Sequence, residues 1–307
     1  MSNSEAVLKI KSRKIKNTKD DVVFTAVTVT LSIIILACVL YPLLYVLGAS
    51  FSSPISVVKG KFWLIPIDPT IQAYINVFKN KTIITGYTNT ILYTTVGTLI
   101  NIVMTTACAY PLSKKDFYGR NFFTILFTIT MFFSGGMIPS FLLIKDLHMY
   151  NTFASMVLPG AISVWNMVIM RNYYQHSIPE EILEAANVDG CSNLGALLRI
   201  VMPLSKSIVS VMVIFYAVGH WNQYFNALLY LKDPNKFPLQ VVLRQILLKG
   251  TGTDGTAAGV VDSVNELLQF STLQYAIIVV ASLPVLILYP MLQKYFIKGV
   301  MVGSIKG

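Results

Sequence analysis

Charge is what this sequence has least of. Only 12% of its 307 residues are Asp, Glu, Lys or Arg, about half the share of an ordinary soluble domain. With 54% hydrophobic residues and a mean hydropathy of +0.63, that scarcity excludes a soluble domain of ordinary make-up. Cysteine is scarce too. Cys38, Cys108 and Cys191 are odd in number, scattered and without metal-ligand spacing, and two fall in apolar blocks, which argues against a disulfide framework and against zinc. Signatures of catalysis are missing as well: no Walker A loop, no H-E-x-x-H, no nucleophile elbow and no paired catalytic carboxylates. Acidic residues number 14 against 24 basic ones, leaving a formal charge of +10. The basic residues flank apolar runs instead of building one stripe. This is the pattern of cations held on the inner side of a membrane and not of a nucleic-acid-binding face.

What is there is apolar mass in blocks of membrane-spanning length. A basic segment, residues 1–21, carries Lys9, Lys11, Arg13, Lys14, Lys16 and Lys19. The block after it, 22–49, is too long for the apolar core of a signal peptide and predicts an uncleaved first helix, with Pro42 kinking its outer part. Further spans are expected at about 86–111, 121–144, 152–170, 207–231 and 273–293, six in all, within a membrane body covering 22–297 and followed by a tail, 298–307. Between the first two spans lies a proline-containing connection with a short helix near 72–79. The second span is rich in Thr, which predicts a small-residue packing face. Ser134-Gly135-Gly136 before Pro139 predicts a break or a close helix approach in the third. In the fifth, His220, Asn222, Gln223 and Asn226 interrupt the apolar run. Polar groups at membrane depth face protein or a water-filled path, so His220, Asn222 and Asn226 are candidate pathway-lining residues. The alternatives are a satisfied structural histidine at 220 and an outer-interface setting, with Trp221, Tyr224 and Tyr230 as an aromatic belt. Residues 232–271 read as the longest outer segment, with an amphipathic stretch at 238–248 and a flexible Gly/Thr/Asp-rich loop at 250–259. The basic N-terminal segment and the Lys114-Lys115-Arg120 turn carry the positive-inside bias and place both termini in the cytoplasm.

One polar stretch interrupts this membrane pattern: residues 177–203, S-IPEEILEAANVDGCSNLGALLRIVMP. Ser177 with Glu180 fits a capping box, and Pro179 suits a first helical turn. A short helix is then expected through Ala185 and Ala186, stopped at Gly190, the residue best able to take a left-handed turn. Ser192 can cap a second helix with an apolar stripe of Leu194, Leu197, Leu198 and Val201, ended by Pro203. Asp189 reads either as a cap for that helix or as a solvated charge.

The spacing Glu184-Ala185-Ala186, three residues, Gly190, nine residues, Ile200, then Met202-Pro203 resembles the EAA loop of ABC-importer permeases, with Met202 where the family pattern has Leu. The resemblance covers almost the whole chain, including FFSGGMIPSFLL from Phe132, LPGAISVWNMVIMRNYYQ from Leu158, HWNQYFNALLYL from His220 and the tail FIKGVMVGSIKG. It is nearest the sugar-importer permeases related to the maltose permease pair and to polysaccharide permeases. The resemblance implies an all-α membrane protein of the type I importer fold, with six transmembrane helices and a cytoplasmic coupling-helix loop. It further implies a transport subunit and not an enzyme: a carbohydrate permease, oligosaccharide being the expected cargo. ATP-Mg would sit on a separate ABC ATPase dimer and no cofactor on this chain. A second, non-identical permease and an extracytoplasmic sugar-binding protein would complete the assembly, in contact with membrane lipid and without nucleic acid. Glu181, Glu184, Ala185, Ala186, Asp189, Gly190, Ile200 and Pro203 would carry the ATPase coupling. Two other readings remain. An ABC permease for a non-sugar solute differs only in cargo. An ion-coupled secondary transporter calls for ionisable groups inside the spans, where here His220 stands nearly alone.

Overall fold

The structure is a computed structural model describing residues 18–61, 64–250 and 264–302. Most of the basic N-terminal segment, most of the Gly/Thr/Asp-rich loop and the end of the tail lie outside the described residues. Among the described residues all regular structure is helical.

Helix α1, Lys19–Ser50, opens on a capping box in which the Thr18 hydroxyl accepts from Asp21 N and the Asp21 carboxylate accepts from Thr18 N. It is apolar all round and exposed along nearly its whole length, with only Gly48, Ala49 and Ser50 buried, and Pro42 lies inside it. Two short helices follow, α2, Pro54–Val58, and α3, Gln72–Lys79, the second where the sequence places it. Helix α4, Lys81–Ser113, starts at Asn80, whose side-chain oxygen accepts from Thr82 N and Ile83 N.

The third apolar block is two helices, α5, Arg120–Phe132, and α6, Met137–Asp146, meeting at 115°. The expected break is therefore present, and Gly136, with φ +85°, supplies the left-handed residue it needs. The fourth block, 152–170, departs from one continuous helix. It comprises a single turn, α7, Ala154–Val157, and α8, Val164–Ser177, separated by a non-helical stretch that contains Pro159 and Gly160. Proline has no N–H to give to a helix and glycine favours irregular backbone, so the dipeptide interrupts the ladder.

The polar insert folds as α9, Glu180–Val188, then α10, Asn193–Ala196, a π-helical turn, Leu197–Val201, and α11, Met202–Leu204. An 84° bend leads into α12, Lys206–Trp221. The fifth block ends in a separate helix, α13, Phe225–Tyr230, so the polar residues at 222–224 mark a break. Helix α14, Leu239–Gly250, matches the amphipathic stretch, and α15, Val264–Val302, contains the expected sixth span with Pro284 and Pro290 inside it. Three helical stretches, Lys19–Ser50, Lys81–Ser113 and Phe270–Pro290, are long and apolar enough to cross a membrane, and up to five spans result if each bent pair counts as one.

Helix α4 runs through the middle of the packing. At the insert-bearing end its Ala109, Tyr110 and Leu112 join Met167, Met170 and Tyr174 of α8, Leu197 and Val201 of the insert, and Ile208 and Met212 of α12. At the other end Ile83 joins Val77, Trp221, Leu239, Val242 and Ile277. Leu239 N donates to the Thr90 hydroxyl at 2.7 Å, and Gly86 makes room: a Cβ there would lie 3.3 Å from Leu239 Cα.

Candidate functional site

Two polar constellations interrupt the apolar bundle, the insert and the break after α12. In the insert, α8 continues through Ser177, and Ser177 makes no cap for α9. The expected capping box is therefore replaced: Pro179 holds the N-cap position in an extended conformation, and the Glu180 carboxylate accepts from Lys115 Nζ at 2.7 Å. That hydrogen bond and charge raise the pKa of Lys115; with both side chains exposed, the pair adds little to stability.

The end of α9 is as the sequence predicts. Gly190 has φ +76°, its N–H donates to Asn187 O, and Cys191 N donates to Ala186 O at 2.9 Å, the two bonds of a Schellman motif. Ser192 caps α10 by accepting from Gly195 N. Because Ser192 holds that cap, Asp189, exposed at the end of α9, is the solvated charge of the two readings.

The expected apolar stripe is split. Leu197 and Val201 are buried in the bundle, whereas Leu194 and Leu198 are 65% and 59% exposed. Pro203 does not end the helix, which continues to Leu204. The preceding π turn, in which Met202 N–H reaches Leu197 O, widens the backbone before the proline and relieves the clash an α ladder would suffer. The stop comes at Ser205. Of the coupling candidates, Glu181, Glu184, Ala185, Gly190 and Pro203 are exposed, Ile200 is half-buried and Ala186 is buried. Glu181, Glu184 and Ala185, with Ile182 and Val188, the latter 89% exposed, give α9 an exposed face that carries carboxylates in its first turns and the Asp189 charge just beyond Val188.

At the second constellation the three candidates part company. Asn222 is exposed and its amide donates to Val218 O, finishing α12; Asn226 is half-buried in α13. His220 is tied down: Nε2 lies 2.6 Å from Asn101 Oδ1 and Nδ1 3.3 Å from Gln223 Oε1. Asn101, which the sequence reading passed over, is fully buried and donates to Gly160 O at 2.6 Å. One turn along, Thr105 and Tyr216 share a 2.6 Å hydrogen bond, and the Tyr216 hydroxyl accepts from Ser163 N. These contacts satisfy the backbone groups freed by the break between α7 and α8. An Asn in the middle of the second span was the signal for it. Trp221 and Tyr230 are buried and not belt residues: Trp221 Nε1 donates to Ala281 O at 2.9 Å, and its ring meets Tyr87 edge-on. Tyr224 does remain exposed, with Arg244 over its ring.

Long apolar helices, broken spans and a polar helix-turn-helix are the features of a helical protein of the membrane-spanning class. No family model matches the chain. It is 40% identical over 88% of its length to Protein LplC of Bacillus subtilis, covering 90% of that protein. It is also 40% identical to the polygalacturonan/rhamnogalacturonan transport system permease protein YtcP of the same bacterium, over 89% of this chain and 94% of the relative. Among solved structures, a chain from a bacterial ABC transporter involved in import of the acidic polysaccharide alginate superposes with a TM-score of 0.84 at 34% identity, covering 91% of this chain and 99% of its own. The chain belongs to the permease subunits of ABC transport systems, and is a transport subunit and not an enzyme.

Proposed function

We propose that this permease forms one half of the path by which an ATP-driven importer takes up a carbohydrate, an oligosaccharide delivered by an extracytoplasmic binding protein. A second, non-identical permease supplies the other half. ATP-Mg is bound and hydrolysed on a cytoplasmic ATPase dimer, and this chain binds no cofactor of its own. In this reading six spans, three of them broken, place both termini and the insert in the cytoplasm, in keeping with the basic Lys114-Lys115-Arg120 turn beside it. Relatives named as polysaccharide and arabinooligosaccharide permeases support the cargo class.

The observation that carries the coupling role is the projecting face of α9. It presents Glu181, Glu184 and Ala185 outward, with Val188 at its tip, while Leu183 of the same helix packs against the bundle core. Glu184 pairs with a basic ATPase residue, Ala185 allows close approach, and Asp189 and Gly190 form the turn. Ile200 and Pro203 carry the displacement into α12. Closure of the ATPase dimer moves this rigid insert and shifts the bundle between inward- and outward-facing states, and the ligand biases that equilibrium through its differential affinity for the two.

Glu184→Arg and Gly190→Pro are expected to abolish uptake in cells while the subunit remains in the membrane. Wild-type uptake by both variants would remove the coupling role. Uptake driven by an ion gradient in proteoliposomes of this chain alone, indifferent to ATP, would favour an ion-coupled carrier instead.

A further inference from the structure

Helix α14 turns one face to the bundle and leaves the other bare. Leu239, Val242 and Ile246 pack with Ile83 of α4, Trp221 of α12 and Ile277 of α15, while Arg244 and Gln245 are exposed. The Arg244 guanidinium reaches over the ring of Tyr224, its central carbon 5.6 Å from the ring centroid. Tyr224 is exposed and belongs to the non-helical break between α12 and α13. Its neighbour Gln223 has Oε1 3.3 Å from His220 Nδ1. A cation is thus held beside the residues that interrupt the fifth span, at the end of the bundle away from the insert. Nothing negative answers it. The one ion pair among the described residues is Lys115–Glu180, at the insert end, and among those residues no oxygen accepts a hydrogen bond from Arg244. Between Asn222 and Leu248 the chain carries Lys232, Lys236 and Arg244 against Asp233 alone. The Asp233 carboxylate accepts from Asn235 N, and Lys236 Nζ donates to Asn151 O at 2.7 Å. A guanidinium over an aromatic ring is attracted by the ring quadrupole. Its N–H fork still matches a carboxylate through two parallel hydrogen bonds.

We propose that Arg244, positioned by Tyr224, binds the carboxylate of an acidic sugar, so that the cargo of this permease is a uronate-containing oligosaccharide. This rests on the carbohydrate reading above and narrows it. A uronate brings a carboxylate for the guanidinium, and its hydroxyls suit the nearby amides of Asn222 and Gln223. A neutral oligosaccharide offers hydroxyls alone, and a neutral hydrogen bond is about half as strong as one to an ionised oxygen. The pair is exposed, so one such contact discriminates between cargoes by about tenfold and does not trap them. Weak selective binding suits a path that its cargo must also leave.

The test uses the full-length chain with its second permease in nanodiscs of deuterated lipid, without ATPase or binding protein, so it is independent of the coupling reading. Saturation-transfer NMR compares trigalacturonate with its fully methyl-esterified, uncharged form. Trigalacturonate should give the stronger signal, and Arg244→Gln should weaken its binding about tenfold. Arg244→Lys keeps the charge but not the fork and should weaken it less. Lys79→Gln, an equal change of charge on the exposed side of α3, should leave it unchanged. Arg244 is exposed, so its replacement removes no core contact. Equal signals from the two forms, or undiminished binding by Arg244→Gln, would overturn the acidic assignment and leave the carbohydrate reading standing. Silence from trigalacturonate would overturn it too. Uptake of a neutral oligosaccharide by cells carrying the complete importer would then keep the carbohydrate reading, and uptake of no carbohydrate would remove both. Silence together with loss of a co-purifying binding protein from the Arg244→Gln importer would give the guanidinium to a protein carboxylate instead of a sugar.

Discussion

Helices α1 and α4 are nearly the same length, 32 and 33 residues, yet they do opposite things. The most apolar window of α1 has a mean hydropathy of 2.7 and none of it is buried; that of α4 reaches only 1.5, and a third of it is buried. In water the more apolar helix would be the core. In a membrane lipid is as apolar as leucine, so hydropathy marks which helix faces lipid, and packing goes to the helix with small and polar residues. Helix α4 supplies Gly86, Thr90, Gly97, Asn101 and Thr105, and each has a specific role at a contact with α14, α12 or the break before α8.

This contrast can be broken by substitution, and the largest effect is expected at Gly97. A Cβ there would lie 2.5 Å from His220 Nε2 and within 3 Å of two ring carbons. Gly97→Ala therefore forces the whole imidazole off Asn101 and should cost about 3 kcal/mol in detergent unfolding. Adding His220→Ala to the same chain should recover part of that loss, which a helix-propensity effect would not allow. Asn101→Leu comes next, at about 2 kcal/mol, because it leaves Gly160 O and His220 without their partner in a buried site. Thr105→Val removes one hydrogen bond to Tyr216 and should cost about 0.5–1 kcal/mol. At the other extreme, Ile34→Val in α1 should stay within about 0.5 kcal/mol. A cost there equal to that of Asn101→Leu would mean that α1 is packed against protein along its length.

The parts of the fold legible in the sequence were those set by local chemistry. Gly190 ends α9 and Ser192 caps α10 because a left-handed turn and a capping hydroxyl are decided within a few residues. The Gly135-Gly136 break is of the same kind. What was not legible depended on partners far along the chain. Ser177 is the last residue of α8 and not a cap for α9, and Glu180 pairs with Lys115, 65 residues away. Trp221 and Tyr230 look like interface residues by type, yet both are buried, Trp221 by the approach of α15. Pro203 was misread because the π turn before it cannot be seen in hydrophobic spacing. The break at Pro159-Gly160 had a local signal that the apolar count over 152–170 overrode. Asn101 was passed over for a related reason: a span reads as a run, and one buried amide scarcely changes its average.

In the proposed function the insert is the point where ATPase motion enters the membrane body. The most direct measurement is purification of the tagged chain in mild detergent, with identification of what accompanies it. The account predicts that a P-loop ATPase and a second permease are recovered with the wild-type chain, and that Glu184→Arg loses the ATPase while keeping the second permease. Recovery of the ATPase with Glu184→Arg at the wild-type level, or a stable lone chain under conditions that preserve a known ABC importer, would contradict it.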